Sequence, residues 1–250
     1  MNLSIYGTSE IINHHIKAAR ANTFKVISIC TSNKKSKNID KLSKKFKIKE
    51  TYYNYKTFVK NAYLMNSHVL IAGRIKDNKK VLKECLKYNL KIIIEKPIFI
   101  DKNDFNLFQK FNKNIFVAYN RVYYDSVNIL KKLYKNEKPK SVIINCPETN
   151  LKNVLLNSCH LVSVIYYIFG KISLQYKIKN KKSIICIFKT YKNIPIIFNL
   201  NLGSPDNFAI EINFKKIRAR LCPIETLKLY RKLKKKNIKE TIFMYQNILK

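Results

Sequence analysis

The chain predicts an α/β unit on a doubly wound parallel sheet, followed by an α+β unit with an open, mainly antiparallel sheet. Three observations carry that expectation. From residue 1 to 121, short apolar runs alternate with stretches of helical period. After Arg121, strand-like runs follow one another closely, with turn residues between them. The 250 residues, 46% of them hydrophobic, suffice to bury two modest cores. The expected domains are 1–121 and 122–250, with no flexible linker between them.

Leu3–Tyr6 reads as the first strand, and Ile11–Ala21 as a helix with Ile12, Ile16 and Ala19 on one face. Lys25–Cys30 is a second strand and Ile39–Phe46 a second helix. Tyr52–Tyr55 is a short extended piece, followed by a helix over Thr57–Met65. His68–Ala72 (HVLIA) is a buried strand, Asn78–Tyr88 a helix and Lys91–Glu95 (KIIIE) a strand. A helix over Asp101–Asn112 and a strand over Ile115–Tyr119 complete the alternation. Right-handed crossovers then wind helices onto both faces of the sheet.

Beyond Arg121, Asp125–Tyr134 reads as a helix and Ser141–Asn145 as a strand. Asn157–Phe169 is a helix closed by Gly170. Ile172–Ile178, Ser183–Thr190, Ile194–Leu202, Phe208–Phe214 and Ile217–Leu221 read as an antiparallel meander.

Charge and cysteine content narrow the function classes. The formal net charge is +35, but the basic residues are spread along the whole chain. KKSKNIDKLSKK and YRKLKKKNIK are only local peaks. RNA-binding signatures and metal-finger spacings are absent, so a lysine-biased composition explains the charge better than nucleic-acid binding, which stays as an alternative. No window holds the roughly 18 uncharged apolar residues of a membrane span. MNLSIYGTSE lacks the layout of a signal peptide, which places the protein in the cytoplasm. The six cysteines form no CxxC pair and sit mostly in apolar runs, as buried thiols do. His14 and His15 are helix neighbours that point apart, so no metal site is expected.

Three segments carry candidate chemistry. In IYGTSEII, Gly7 provides the tight turn that a Rossmann-type dinucleotide site needs after its first strand. Thr8, Ser9, Glu10 and Ile11 lead into the helix whose N-terminus would face a pyrophosphate. Ser9 and Ile12 occupy the slots of the second and third fingerprint glycines, which weakens the cradle. At the end of the second strand, Thr31 and Ser32 replace the acid that usually holds the ribose 2′-hydroxyl, and Lys34 and Lys35 follow. Such a loop tolerates a 2′-phosphate, which tips the choice between NAD and NADP toward NADP; a plain polar loop is the alternative. The third segment, IIIEKPI, ends a strand in Glu95-Lys96-Pro97, at the end of the sheet where ligands bind. Pro97 restricts Lys96 to an extended backbone.

These segments, with FVAYNRVYYDSVNILKKL and NSCHLVSVIYYIFG, resemble the Gfo/Idh/MocA oxidoreductases over nearly the whole chain. EKP, Tyr119-Asn120-Arg121 and the helix of His160, in that order, are the most specific parts. LCPIETLKLY is similar to a late segment of the family. The resemblance implies hydride transfer between a nicotinamide and a sugar or nucleotide-sugar, with relatives in surface-polysaccharide synthesis. Lys96 would contact the substrate hydroxyl and the nicotinamide ribose, and His160 would act as general acid or base. Ala72, Gly73, Asn78, Glu95 and Asn120 would border the cofactor, and Tyr119, Arg121 and Asn157 the substrate. By spacing alone, His160 could equally be a satisfied helix histidine. The C-terminal sheet would pair with its copy in a homo-oligomer.

The departures are specific. Leu156 and Ser163 stand where acids flank the family histidine. Gly73-Arg74 replaces the usual Thr-Pro, and the chain is shorter than its relatives. A catalytically impaired member that binds only dinucleotide or a protein partner is therefore a second expectation.

Overall fold

The computed structural model describes residues 1–98, 112–232 and 243–247. The chain forms two compact units, Met1–Ala118 and Tyr119–Lys250.

The first unit alternates strand and helix: β1 (Asn2–Tyr6), α1 (Ile11–Ala21), β2 (Lys25–Cys30), α2 (Lys37–Phe46), β3 (Glu50–Tyr52), α3 (Tyr55–Leu64), β4 (Ser67–Ile71), α4 (Ile75–Lys87), β5 (Ile92–Ile94) and β6 (Ile115–Val117). Its six strands run in the order β3-β2-β1-β4-β5-β6, and every pair is parallel. β1 is central, with Ile5 beside Ile29 of β2 and Leu70 of β4.

Two apolar clusters show why these strands read as continuous apolar runs. Leu3, Ile5, Ile29 and Leu70 pack against Ile12, Ile16, Ile39, Leu42 and Phe46 of α1 and α2. On the other face, Tyr6, Val69, Ile71, Ile92 and Ile94 pack against Phe58, Val59, Ala62, Val81, Leu82 and Cys85 of α3 and α4. Helices thus cover both faces, as a doubly wound sheet requires. Ile12 and Ile16 are fully buried, each worth about 1.5–3 kcal/mol of transfer free energy.

The extended piece ends at Tyr52, because Asn54 caps α3 by accepting from the backbone N–H groups of Lys56 and Thr57. Tyr55 is therefore helical. The helix expected over 101–112 lies outside the described residues, apart from Asn112, which opens a short 3-10 turn.

The second unit opens on a 3-10 turn, Asn120–Tyr123. Then come α5 (Asp125–Asn136), β7 (Ser141–Glu148), α6 (Leu151–Asn157), α7 (Cys159–Phe169), β8 (Ile172–Lys179), β9 (Ser183–Thr190), β10 (Pro195–Leu202), β11 (Ala209–Asn213), β12 (Ile217–Leu221), β13 (Leu227–Lys232) and β14 (Phe243–Asn247). The sheet order is β14-β13-β12-β11-β7-β10-β9-β8. The strands after α7 are therefore not a simple meander. β7 inserts between β10 and β11 and runs parallel to β10. The alternation of β7 suits this central place: Val142, Ile144, Cys146 and Glu148 are buried and their neighbours half-buried.

Leu130 of α5 and Leu161, Val164, Ile168 and Phe169 of α7 cover one face of this sheet. The helix expected over Asn157–Phe169 begins at Cys159, and a further helix, Leu151–Asn157, precedes it and meets it at Ser158. Asn150 caps the preceding helix by accepting from the Asn153 N–H at 3.1 Å. That cap is the sequence signal for α6, and it went unread. On the other face of the sheet, Tyr176, Ile178 and Ile185 are exposed.

Candidate functional site

In the first unit, a crevice of about 370 Å³ lies where the loops after β1, β2 and β4 part. The strand order reverses direction between β1 and β4, and that switch point is where open parallel sheets bind ligands. Of the residues expected to bind a cofactor, Gly7, Thr8, Ser9, Thr31, Ser32, Ala72 and Gly73 line the crevice. Tyr6, Asn33, Ser36, Asn38, Arg74 and Asp77 line it too, and sequence reasoning had passed over them. A larger cleft of about 760 Å³ lies at the amino ends of β1, β4 and β5, beside Asn2, Ser67 and Lys91. It is at the wrong end of the strands for nucleotide chemistry.

The crevice suits a dinucleotide phosphate. Gly7 turns with φ +132°, and a Cβ there would lie 2.4 Å from the Ala72 carbonyl oxygen. Its N–H donates to the Cys30 carbonyl at 2.9 Å, and the Ala72 N–H to the Tyr6 carbonyl at 2.8 Å, so β1, β2 and β4 are tied where the turn begins. The first turn of α1 carries no acid, and its N-cap residue, Glu10, makes no side-chain cap bond. Ile12, in the third glycine slot, is fully buried against the sheet. Ile11 is exposed.

The remaining cofactor candidates divide. Thr31 is buried; its N–H donates to the Tyr52 carbonyl and its hydroxyl accepts from the Asn33 N–H. Lys34 is exposed outside the crevice lining. Asn78 is buried, and its side-chain oxygen accepts from the Gly73 N–H at 3.0 Å, fixing the loop rather than facing a ligand.

Glu95 and Lys96 follow β5, and the Lys96–Pro97 peptide is cis. Glu95 meets His15 of α1, with Nε2 and Oε1 2.7 Å apart. Burial alone would push the Glu95 carboxyl up. The hydrogen bond and charge of His15, then the backbone N–H and charge of Lys96, outweigh burial and hold it below the usual carboxylate range. His15 was not singled out from the sequence, although it lies one turn from Ile12 on the inward face of α1. The pair ties the phosphate-facing helix to the tip that carries Lys96.

In the second unit, His160 lies in the first turn of α7, and Asn157 ends α6. The Ser163 hydroxyl, in the place of a family acid, donates to the His160 carbonyl at 2.8 Å. A buried carboxylate stands close by in the chain fold: Glu148 accepts from the Ser158 hydroxyl at 2.9 Å and the Asn157 amide at 3.4 Å. The Cys146 thiol lies 2.9 Å from the same hydroxyl. This network accounts for the break between the two helices. Asn120 is exposed. Tyr119 is half-buried against the second core, where burial, and then the nearby Cys159, push its hydroxyl up. Arg121 pairs with Glu225 at 3.4 Å.

Among the described residues, no group of three or more His, Cys, Asp or Glu is placed to hold a metal. No helix among them is long and apolar enough to cross a membrane.

The chain thus joins a parallel sheet with a glycine turn at its switch point to an eight-stranded mixed sheet. Solved structures share this fold. A levoglucosan dehydrogenase, described in complex with NADH and L-sorbose, aligns with a TM-score of 0.80 at 11% identity over 98% of this chain and 80% of that one. The WlbA dehydrogenase from Bordetella pertussis, described in complex with NADH and UDP-GlcNAcA, aligns at 0.73 and 13% identity over 91% of this chain and 81% of that one. A super-repressor mutant of Gal80p from Saccharomyces cerevisiae aligns at 0.77 and 13% identity, over 99% and 79%. No protein-family model matches the chain, and no curated protein matches it by sequence.

Proposed function

We propose that the chain is a divergent Gfo/Idh/MocA oxidoreductase. It moves hydride between a nicotinamide dinucleotide, NADP in preference to NAD, and a hydroxyl-bearing carbon of a sugar or nucleotide-sugar. The observation that carries this reading is the switch-point crevice, which joins the Gly7 turn, the N-terminus of α1 and neutral donors from the loops after β1 and β2, beside the Arg74–Asp77 pair. The nicotinamide, when bound, supplies the hydride acceptor or donor. Lys96 would hold the substrate hydroxyl, and His160 would take its proton as the adjacent carbon gives up hydride. The His15–Glu95 pair would keep the Lys96 tip in register with α1. Asn120 would border the cofactor, and Tyr119, Arg121 and Asn157 the substrate. Surface-polysaccharide sugars are the substrate class favoured by the resemblance. The six cysteines, none of them in a disulfide, suit a reducing compartment, the cytoplasm. The exposed Tyr176, Ile178 and Ile185 support self-association through the second sheet.

Thermal shift with NAD, NADH, NADP and NADPH tests the binding step, and a sugar panel with the nucleotide that binds tests turnover. Lys96→Ala and His160→Asn should each lower kcat by about 10²- to 10⁴-fold, while His160→Asn leaves dinucleotide affinity unchanged. No shift with any of the four would sink the reading. A second reading, binding without turnover, is favoured by Ser9 and Ile12 in the glycine slots; shifts with full inactivity across the panel would select it.

A further inference from the structure

The acid missing from the end of β2 has a counterpart on another element. Asp77, in the first turn of α4, lines the crevice beside Ser32. Arg74 grips it twice: Nε donates to Oδ2 at 2.8 Å, and Nη2 lies 2.7 Å from the same oxygen. The Ser32 hydroxyl donates to that oxygen at 3.5 Å, and the Tyr6 hydroxyl donates to Ser32 at 3.2 Å. The Asp77 side chain is 16% exposed and that of Arg74 66%, so the acid is tucked in and the guanidinium stands at the opening.

We propose that Arg74 selects the cofactor by masking Asp77. With the pair closed the crevice takes a 2′-phosphate; with the arginine removed, the same crevice becomes an NAD site. The inference rests on the dinucleotide binding proposed above. A guanidinium carries five N–H donors in a planar fork, and Asp77 engages only one edge of it. The remaining donors face solvent, where a phosphate can accept them as charge-assisted bonds. Ser32, Ser36, Asn33 and Asn38 line the same crevice and add neutral donors. Without Arg74, Asp77 presents an uncompensated carboxylate beside Ser32. That charge repels a phosphate dianion and accepts a hydrogen bond from a ribose 2′-hydroxyl. One substitution should thus move two affinities in opposite directions, which losing a surface cation alone would not do.

The test is titration calorimetry with NADH and NADPH on the full chain, with 2′-AMP and 5′-AMP as probes that lack nicotinamide. Wild type should bind NADPH about tenfold or more tighter than NADH, and 2′-AMP tighter than 5′-AMP. Arg74→Ala should weaken NADPH by about 10- to 100-fold and bind NADH more tightly than wild type does; weaker NADPH binding with unchanged NADH binding marks loss of a surface cation only and overturns the masking role. Adding Asp77→Asn to that variant should restore part of the NADPH affinity and remove any gain for NADH. Circular dichroism melts confirm that each variant folds; Arg74 is largely exposed, so its loss should leave the melt unchanged. A wild type that prefers NADH, or an Arg74→Ala variant with the wild-type ratio, overturns the inference and leaves the dinucleotide reading standing. Failure of wild type to bind either cofactor overturns both.

Discussion

Gly7→Ala puts a single methyl group against the most constrained backbone of the first unit. The new Cβ would sit 2.4 Å from the Ala72 carbonyl oxygen and 2.7 Å from its carbon, roughly 1 Å inside an ordinary contact. Both atoms are backbone, so no side chain can swing aside. Relief requires the ends of β1 and β4 to part, at the cost of the Ala72 N–H bond to the Tyr6 carbonyl. An alanine at φ +132° adds about 1–3 kcal/mol of backbone strain. With the lost hydrogen bond the destabilisation should reach about 3–4 kcal/mol, a fall of about 10–15 °C in the Tm of a unit this size. Thermal melts followed by circular dichroism measure it, and nucleotide titration should show weaker binding in the same variant. Gly203→Ala is the uncrowded control, because Gly203 has φ +75° with nothing within 4 Å of its Cβ position, so its smaller loss reports a positive φ without a clash. A Gly7→Ala protein that melts within about 2 °C of wild type and binds nucleotide equally would refute the reasoning.

Two further outcomes follow from the titrating groups. The Glu95 carboxyl is held below its ordinary value, so its stabilising effect is present above the unfolded-state value and is lost as pH falls through the folded one. His15→Gln removes the partner that lowers the Glu95 carboxyl, so the variant should be less stable than wild type near neutral pH and the gap should narrow as pH falls, because the wild-type contribution is the part that acid removes; a stability gap of the same size at every pH would contradict this. Burial pushes the Cys30 thiol up to about 12 and the Cys146 thiol up to about 11, and raises Cys85 as well. At pH 8 a thiol reagent should therefore label only Cys159, Cys186 and Cys222 quickly, with the other three reacting after addition of urea; rapid native labelling of all six would show the packing to be wrong.

The alternation of strands and helices in the first unit was legible because burial imposes a local period. Ile12, Ile16 and Ala19 recur at helical spacing, and the central strands of a sheet covered on both faces are mostly apolar, with Ser4, Ser28 and Ser67 as buried exceptions. The Gly7 turn was legible for a similar reason, since a tight loop after a strand leaves few residue choices. Where a cap rather than a period set the boundary, at Asn54 and Asn150, the reading slipped by a few residues or missed the helix.

What the amino-acid order determined alone was the kind and sequence of elements, the glycine turn, and the residues at strand ends where chemistry is expected. Tertiary structure decided which of these meet. The place of β7 between β10 and β11 is a matter of strand order, which no local pattern records. His15 reaches Glu95 across 80 residues, and Ser32 reaches Asp77 across 45. Such pairings depend on which loops the sheet brings to one edge, and hydrogen bonds and ion pairs act only over a few ångströms of space, whatever their separation along the chain.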